Sequence, residues 1–181
     1  MTHLDKVNDE VFVDPTLIVR LGEAEIDFLK QQARSSPRGR ARICAHKDTQ
    51  DPLHQMLIAL SSAGYIRPHK HLDKAESFHV VEGEGDVVIF KENGEISEVI
   101  PLGSHGSSKP FFYRLPAGYY HTILVHGEFL VVHEVTTGPF IPTQTEEAPF
   151  APEAIQDGAS REYLLKLRDK AAVFLKQAKF K

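Results

Sequence analysis

GYIRPHKHLDKAESFHVVEG, residues 64–83, and PAGYYH, residues 116–121, decide the reading of this chain. Residues i and i+2 of a strand point to one face, so His69 and His71 place two imidazoles side by side. Glu76 follows after a short polar turn and opens a second strand, in which Glu76, Phe78 and Val80 share a face. His79 falls on the other face and is not counted as a ligand. Pro116 and Gly118 shape a tight turn, and His121 stands at the head of the strand after it. Imidazoles and a carboxylate together form a donor set for one divalent transition metal. The sequence therefore predicts His69, His71, Glu76 and His121 as ligands of a single ion. The mixed donors admit Fe, Mn, Ni, Co or Zn, without selecting among them.

Outward from these stretches, short strands recur with turn signals between them. Strands are predicted at 40–46, 55–60, 65–71, 76–82, 86–91, 111–115, 121–125 and 128–135. Two hairpins are expected, one across the GEG at 83–85 and one across His126-Gly127. This spacing predicts an all-β barrel of the jelly-roll type. Phe78, Ile89, Ile123 and Leu130 are expected to fill it, Cys44 to be a buried small side chain, and His46 and His54 to lie on the surface.

The chain divides into four parts. Residues 1–39 form an N-terminal strand and helix extension, with possible strands at 12–14 and 17–20 and a helix over 23–34. Residues 40–138 form the barrel, 139–158 a proline-rich strap, and 159–181 an amphipathic helix with Ser160 as its N-cap. The helix carries an apolar stripe from Leu164 to Ala178 that docks on the barrel or on a partner subunit, and a homodimer is expected.

The net charge of −4 argues against a general nucleic-acid binder. It is uneven: residues 160–181 hold seven Lys/Arg against two Asp/Glu, or +5, leaving −9 elsewhere. The basic helix reads as a solvated face. One cysteine and an N-terminus without an apolar leader core fit a reducing cytoplasm, and no apolar run has the length of a membrane span.

Period-two parity extends the site. Arg67 shares a strand face with the two histidines and offers a bidentate contact to an anion; a salt bridge at the rim is the competing role. If His126 and Gly127 close a hairpin, Glu134 opposes Tyr119 and lies on the metal-facing side, while His133 faces away. Glu134 is then a candidate general base, with a salt bridge to Arg67 or Arg114 as the alternative. Tyr113, Arg114, Tyr119 and Tyr120 flank the second stretch as further ligand-binding candidates.

The two stretches resemble the paired motifs of the cupin superfamily. Gly64, His69, His71, Glu76 and Gly83 fill the first, with one residue fewer than usual between Gly64 and His69; Pro116, Gly118 and His121 fill the second. The asparagine often found four residues beyond that histidine is replaced by Val125. The resemblance implies a cupin double-stranded β-helix holding one metal on three histidines and one glutamate, with open coordination positions. Several segments, among them RARICAH, RPHKHLDKAESFHVVEGEGDVVIF, FFYRLPAGYYHT and HEVTTGPF, are similar to the WbuC family of cupin-fold metalloproteins, over roughly residues 40–153. That family is associated with bacterial surface-polysaccharide (O-antigen) gene clusters. The resemblance implies a small polar or anionic substrate, such as a sugar or nucleotide sugar, and an isomerase or epimerase. An Fe(II) dioxygenase and a non-enzymatic sensor or binding protein are the alternatives.

Overall fold

The computed structural model describes residues 3–153 and 158–178. The end of the predicted strap at 154–157 and of the last helix at 179–181 lie outside the described residues. Along the chain run β1 (Asp5–Lys6), β2 (Val11–Val13), α1 (Glu23–Ser35), β3 (Arg40–Cys44), β4 (Leu53–Ser61), β5 (His69–His71) and β6 (Glu76–Phe90). β7 (Ile96–Gly103), β8 (Phe112–Leu115), β9 (Tyr120–Thr137), a 3-10 turn (Pro142–Gln144), β10 (Thr145–Glu147) and α2 (Gly158–Ala178) follow.

Neither predicted hairpin forms. β6 and β9 are each one long strand, and they pair with each other antiparallel from Glu76 opposite Thr136 to Phe90 opposite Tyr120. Gly83 and Gly127, which the sequence reading gave to tight turns, mark the level at which this ribbon bends. Both have positive φ, +82° and +68°, a backbone state that costs glycine little. At Gly83 a Cβ would also stand 2.3 Å from the Phe129 carbonyl oxygen. The register shifts at the bend: β6 carries one extra residue between Val80 and Glu82, and β9 carries three where Glu82 and Glu84 pair with Val131 and His126. An odd number of extra residues flips the side-chain parity of a strand. Inward residues are therefore Phe78 and Val80 before the bend on β6 but Val87 and Ile89 after it; on β9 they are Ile123 and Val125, then Leu130 and Val132.

The bent ribbon belongs to two facing layers. One holds β1, β2, β3, β4, the second half of β9, the first half of β6, and β8. The other holds β10, β5, the first half of β9, the second half of β6, and β7. This is a jelly-roll barrel, and the core between its layers includes all four residues expected to fill it. Cys44 belongs to the same core, and burial pushes its thiol up to about 11, which leaves it unreactive near neutrality.

Both outer faces are covered. α1 lays Leu29 and Ala33 on Ala41, Ile43, Leu57, Ala59 and Val131. The fully buried Leu29 contributes roughly 1.5–3 kcal/mol by leaving water. Its first turn is held by Glu25, which accepts the Gly22 N–H at 2.8 Å. On the opposite side Leu167 and Ala171 of α2 pack with Ala148 and Ala151 of the strap against Val88, Phe90, Val99 and Leu124.

Four further expectations change. The N-terminal extension joins the barrel, because β2 adds to β3 in parallel. Residues 17–20 form no strand, and the first ligand strand shrinks from 65–71 to 69–71. Ser160 lies inside α2 and is fully buried, since the described helix already begins at Gly158. Among the described residues no helix is long and apolar enough to cross a membrane.

Candidate metal centre

β5 and the start of β9 lie side by side with His69 opposite His121. The pleat puts His71 on the same face, and the ligand nitrogens of the three imidazoles fall within 4.8 Å of one another. Each ring is held by its other nitrogen. His69 Nδ1 meets the Arg67 carbonyl at 2.9 Å, His121 Nδ1 the Tyr119 carbonyl at 3.0 Å, and His71 Nδ1 the Thr145 hydroxyl at 3.1 Å. A carbonyl only accepts, so Nδ1 of His69 and His121 carries the proton and Nε2 is turned toward the centre. Such partners fix ring orientation and raise ligand basicity in metal sites.

Glu76, the first residue of β6, enters from the facing layer. Its carboxylate is buried at 5% exposure. It lies 3.0 Å from His121 Nε2 and 3.3 Å from His71 Nε2, and it accepts the Tyr113 hydroxyl at 3.0 Å. Burial alone would raise the Glu76 carboxyl; the adjoining His121 and His71 outweigh that and hold it well below the usual range. His121 is the mirror case, pulled down by burial and lifted above its ordinary value by Glu76. His69, deep in the site beside His121, is pushed down to about 3 and is neutral at any physiological pH. Three converging imidazole nitrogens, with a buried carboxylate against two of them, offer the kind of donor set a divalent ion takes.

The other predicted site residues separate. Glu134 faces inward: it stands opposite Met56 on β4 and Phe78 on β6, both core residues. His133, opposite Leu57 and His79, faces outward. The hairpin that led to this orientation is absent, yet the bend at Gly127 shifts parity just as a two-residue turn would. Close surroundings, then the Glu76 charge, push the Glu134 carboxyl up to about 7.

Arg67 turns away from the centre. It precedes β5, so strand parity does not govern it, and it donates to the Ala148 carbonyl at 3.1 Å with Glu147 at 3.8 Å. Arg114 points to solvent because Tyr113 and Leu115 take the inward positions of β8. Tyr119 is half exposed, and its backbone carbonyl is what serves the site. His54, expected on the surface, is 4% exposed on the inner face of β4 and stacks on the half-buried His46 with ring centroids 4.0 Å apart.

Sequence reasoning missed Thr145, whose approach depends on the strap folding back as β10, and Arg42. On β3, Ala41 and Ile43 alternate with Arg40, Arg42 and Cys44. That pattern assigns the small apolar residues to a core, and they do face one, but it is the core beneath α1. Arg42 thus occupies the barrel side.

Residues 21–102, under half of the chain, match a sequence family described as a domain of unknown function (DUF6016). No curated protein matches the sequence. Among solved structures, the chain is similar to the protein SO0799 from Shewanella oneidensis, with a TM-score of 0.54 at 13% identity over 74% of this chain and 86% of that one. It is also similar to oxalate decarboxylase from Bacillus subtilis, with a TM-score of 0.44 at 21% identity over 54% of this chain. The chain spans only 24% of that decarboxylase chain. A third likeness, to the cupin domain of Schizosaccharomyces pombe Cnp3, has a TM-score of 0.43 at 14% identity over 55% of this chain and 64% of that one. These likenesses concern the fold alone. The chain has a jelly-roll barrel fold, and three of its histidines converge where a metal ion could be held.

Proposed function

We propose that this chain is a single-metal cupin enzyme that moves a proton on a small polar molecule, with His69, His71, His121 and Glu76 as the metal ligands and Glu134 as the proton carrier. A divalent ion on these donors would polarise a chelating hydroxy-carbonyl group and acidify the neighbouring C–H. The observation that carries the reading is Glu134: an inward carboxyl with no ion-pair partner among the described residues, pushed up to about 7. A carboxyl that titrates near the working pH both accepts and returns a proton efficiently. Tyr113, through its hydrogen bond to Glu76, keeps that carboxylate turned toward the histidines. Return of the proton to the other face of the same carbon amounts to epimerisation, and its return to the neighbouring carbonyl carbon, with the hydroxyl proton passed to the other oxygen, to isomerisation. A sugar or nucleotide-sugar substrate, a place in surface-polysaccharide metabolism, a cytoplasmic location and a homodimeric state are further parts of the proposal, supported by the motif resemblance and the composition.

The test is solvent exchange. Metal-loaded protein incubated in D2O with a panel of aldoses, ketoses and nucleotide sugars is expected to wash out one C–H signal by proton NMR. Glu134→Gln should bind the same amount of metal and show at least 100-fold slower exchange. Unchanged exchange in that variant removes Glu134 from the chemistry. Oxygen consumption without exchange replaces the isomerase reading by the dioxygenase.

A further inference from the structure

Arg42 is an inward-facing charge with no ion-pair partner among the described residues. It lies on the barrel side of β3, one residue pair deeper than Cys44, opposite Ile58 on β4. Its side chain runs back toward the mouth, where Nη1 lies 3.9 Å from Met56 Sδ. Met56 is the direct cross-strand neighbour of Glu134. The guanidinium therefore sits at the level of Glu134, across Met56 from it, and its charge reaches Glu134 and Cys44. Among the described residues no carboxylate lies within 4.0 Å of it, Glu134 included. Arg40, two residues away on the same face, does have one: Glu10 at 3.3 Å. Arg42 is only half-buried, so a ligand can approach it.

We propose that Arg42 anchors an oxyanion group, carboxylate or phosphate, of the molecule whose other end lies at the metal centre. A guanidinium presents a planar fork of donors matched to either group. β3 is three strands from the Glu76 end of β6, through β4 and β9. Three strand spacings come to about 14 Å between backbones, shortened from both sides by the side chains. The remaining span suits a ligand of monosaccharide length better than a two-carbon acid. The substrate class is thus an anionic sugar: a sugar phosphate or a sugar acid. The inference uses the proposed metal centre only to place the far end of the ligand.

Titration calorimetry on the full-length, manganese-loaded protein tests this with glucose 6-phosphate, glucuronate and neutral glucose as probes. At least one anionic probe should bind 10-fold or more tightly than glucose. Arg42→Gln should lose that advantage at unchanged metal content, and Arg42→Lys should recover part of it. The two anionic probes tell phosphate from carboxylate. Equal binding of the anions by wild type and Arg42→Gln overturns the anchor and leaves the metal centre standing. So does a melting temperature in Arg42→Gln several degrees below wild type without ligand, which would reveal a structural role. Protein that takes up no metal overturns the metal reading instead. The anchor is then judged on the metal-free protein with the same probes: loss of anion binding in Arg42→Gln supports it, and no difference overturns it.

Discussion

The two ends of the barrel use similar residue types in opposite ways. At the end away from the histidines the charges are paired across elements. Lys30 meets Glu82 at 2.6 Å, Arg34 meets Glu128 at 2.9 Å, Lys109 meets Glu84 at 2.5 Å, and His126 meets Asp86 at 2.9 Å. A depression of about 440 Å³ lies among these groups, and its charged walls are already satisfied. At the mouth, Glu76 is answered only by ligand-type histidines and Tyr113, while Glu134 and Arg42 have no ion-pair partner among the described residues. Charges placed for stability find opposite charges. Charges held apart, on the inner face of a packed barrel, lower stability and are explained by what they bind.

Breaking the mouth should have the largest effect. His121→Ala removes a metal donor and also leaves the buried Glu76 carboxylate without its 3.0 Å partner. Elemental analysis should show loss of stoichiometric metal. Chemical denaturation of the metal-free variant should show a loss of about 3–5 kcal/mol. Retained stoichiometric metal would contradict the site.

The next test sharpens the contrast through pH. Glu134 has a folded pKa of about 7, above the ordinary 4.5. Its contribution to stability is therefore fully present below about 4.5 and is lost as pH rises through 7. Other groups at the mouth titrate too, so the comparison is metal-free wild type against metal-free Glu134→Gln. The glutamine variant should gain on wild type by roughly 2 kcal/mol between pH 5 and 8. A pH-independent difference would show that Glu134 is already ionised at pH 5.

The smallest effect belongs to the far end. Lys30→Ala breaks a pair with Glu82, which is half exposed, and should cost under about 1 kcal/mol in denaturation with unchanged metal content. A larger loss, or any change in metal uptake, would dissolve the distinction between the two ends.

Much of the centre was legible in the sequence because it depends on local geometry. His69 and His71 share a face wherever a strand runs through them, and glycine at 83 and 127 marks a change of direction whatever its form. The form itself was not legible. A glycine-bearing turn and a glycine-bearing bend look alike in sequence, and only β6 choosing β9 along its whole length separates them. Arg67 shows where parity reasoning ends: residues 65–68 form no strand, and its side chain goes to the strap instead. Arg42 shows another limit. A sheet covered on both faces has two cores, and alternation alone does not say which one the small apolar residues fill.

By itself, then, the sequence picked out the candidate ligands and set two of them side by side, because a period of two residues is a property of the extended backbone. Tertiary structure alone decided that Glu76 reaches His121 from the opposite layer, that Arg42 faces the barrel side without pairing with Glu134, and that Thr145 returns from the strap to hold His71. Each of these depends on which strands become neighbours. That choice is made by burying all three apolar clusters at once, and no local pattern encodes it.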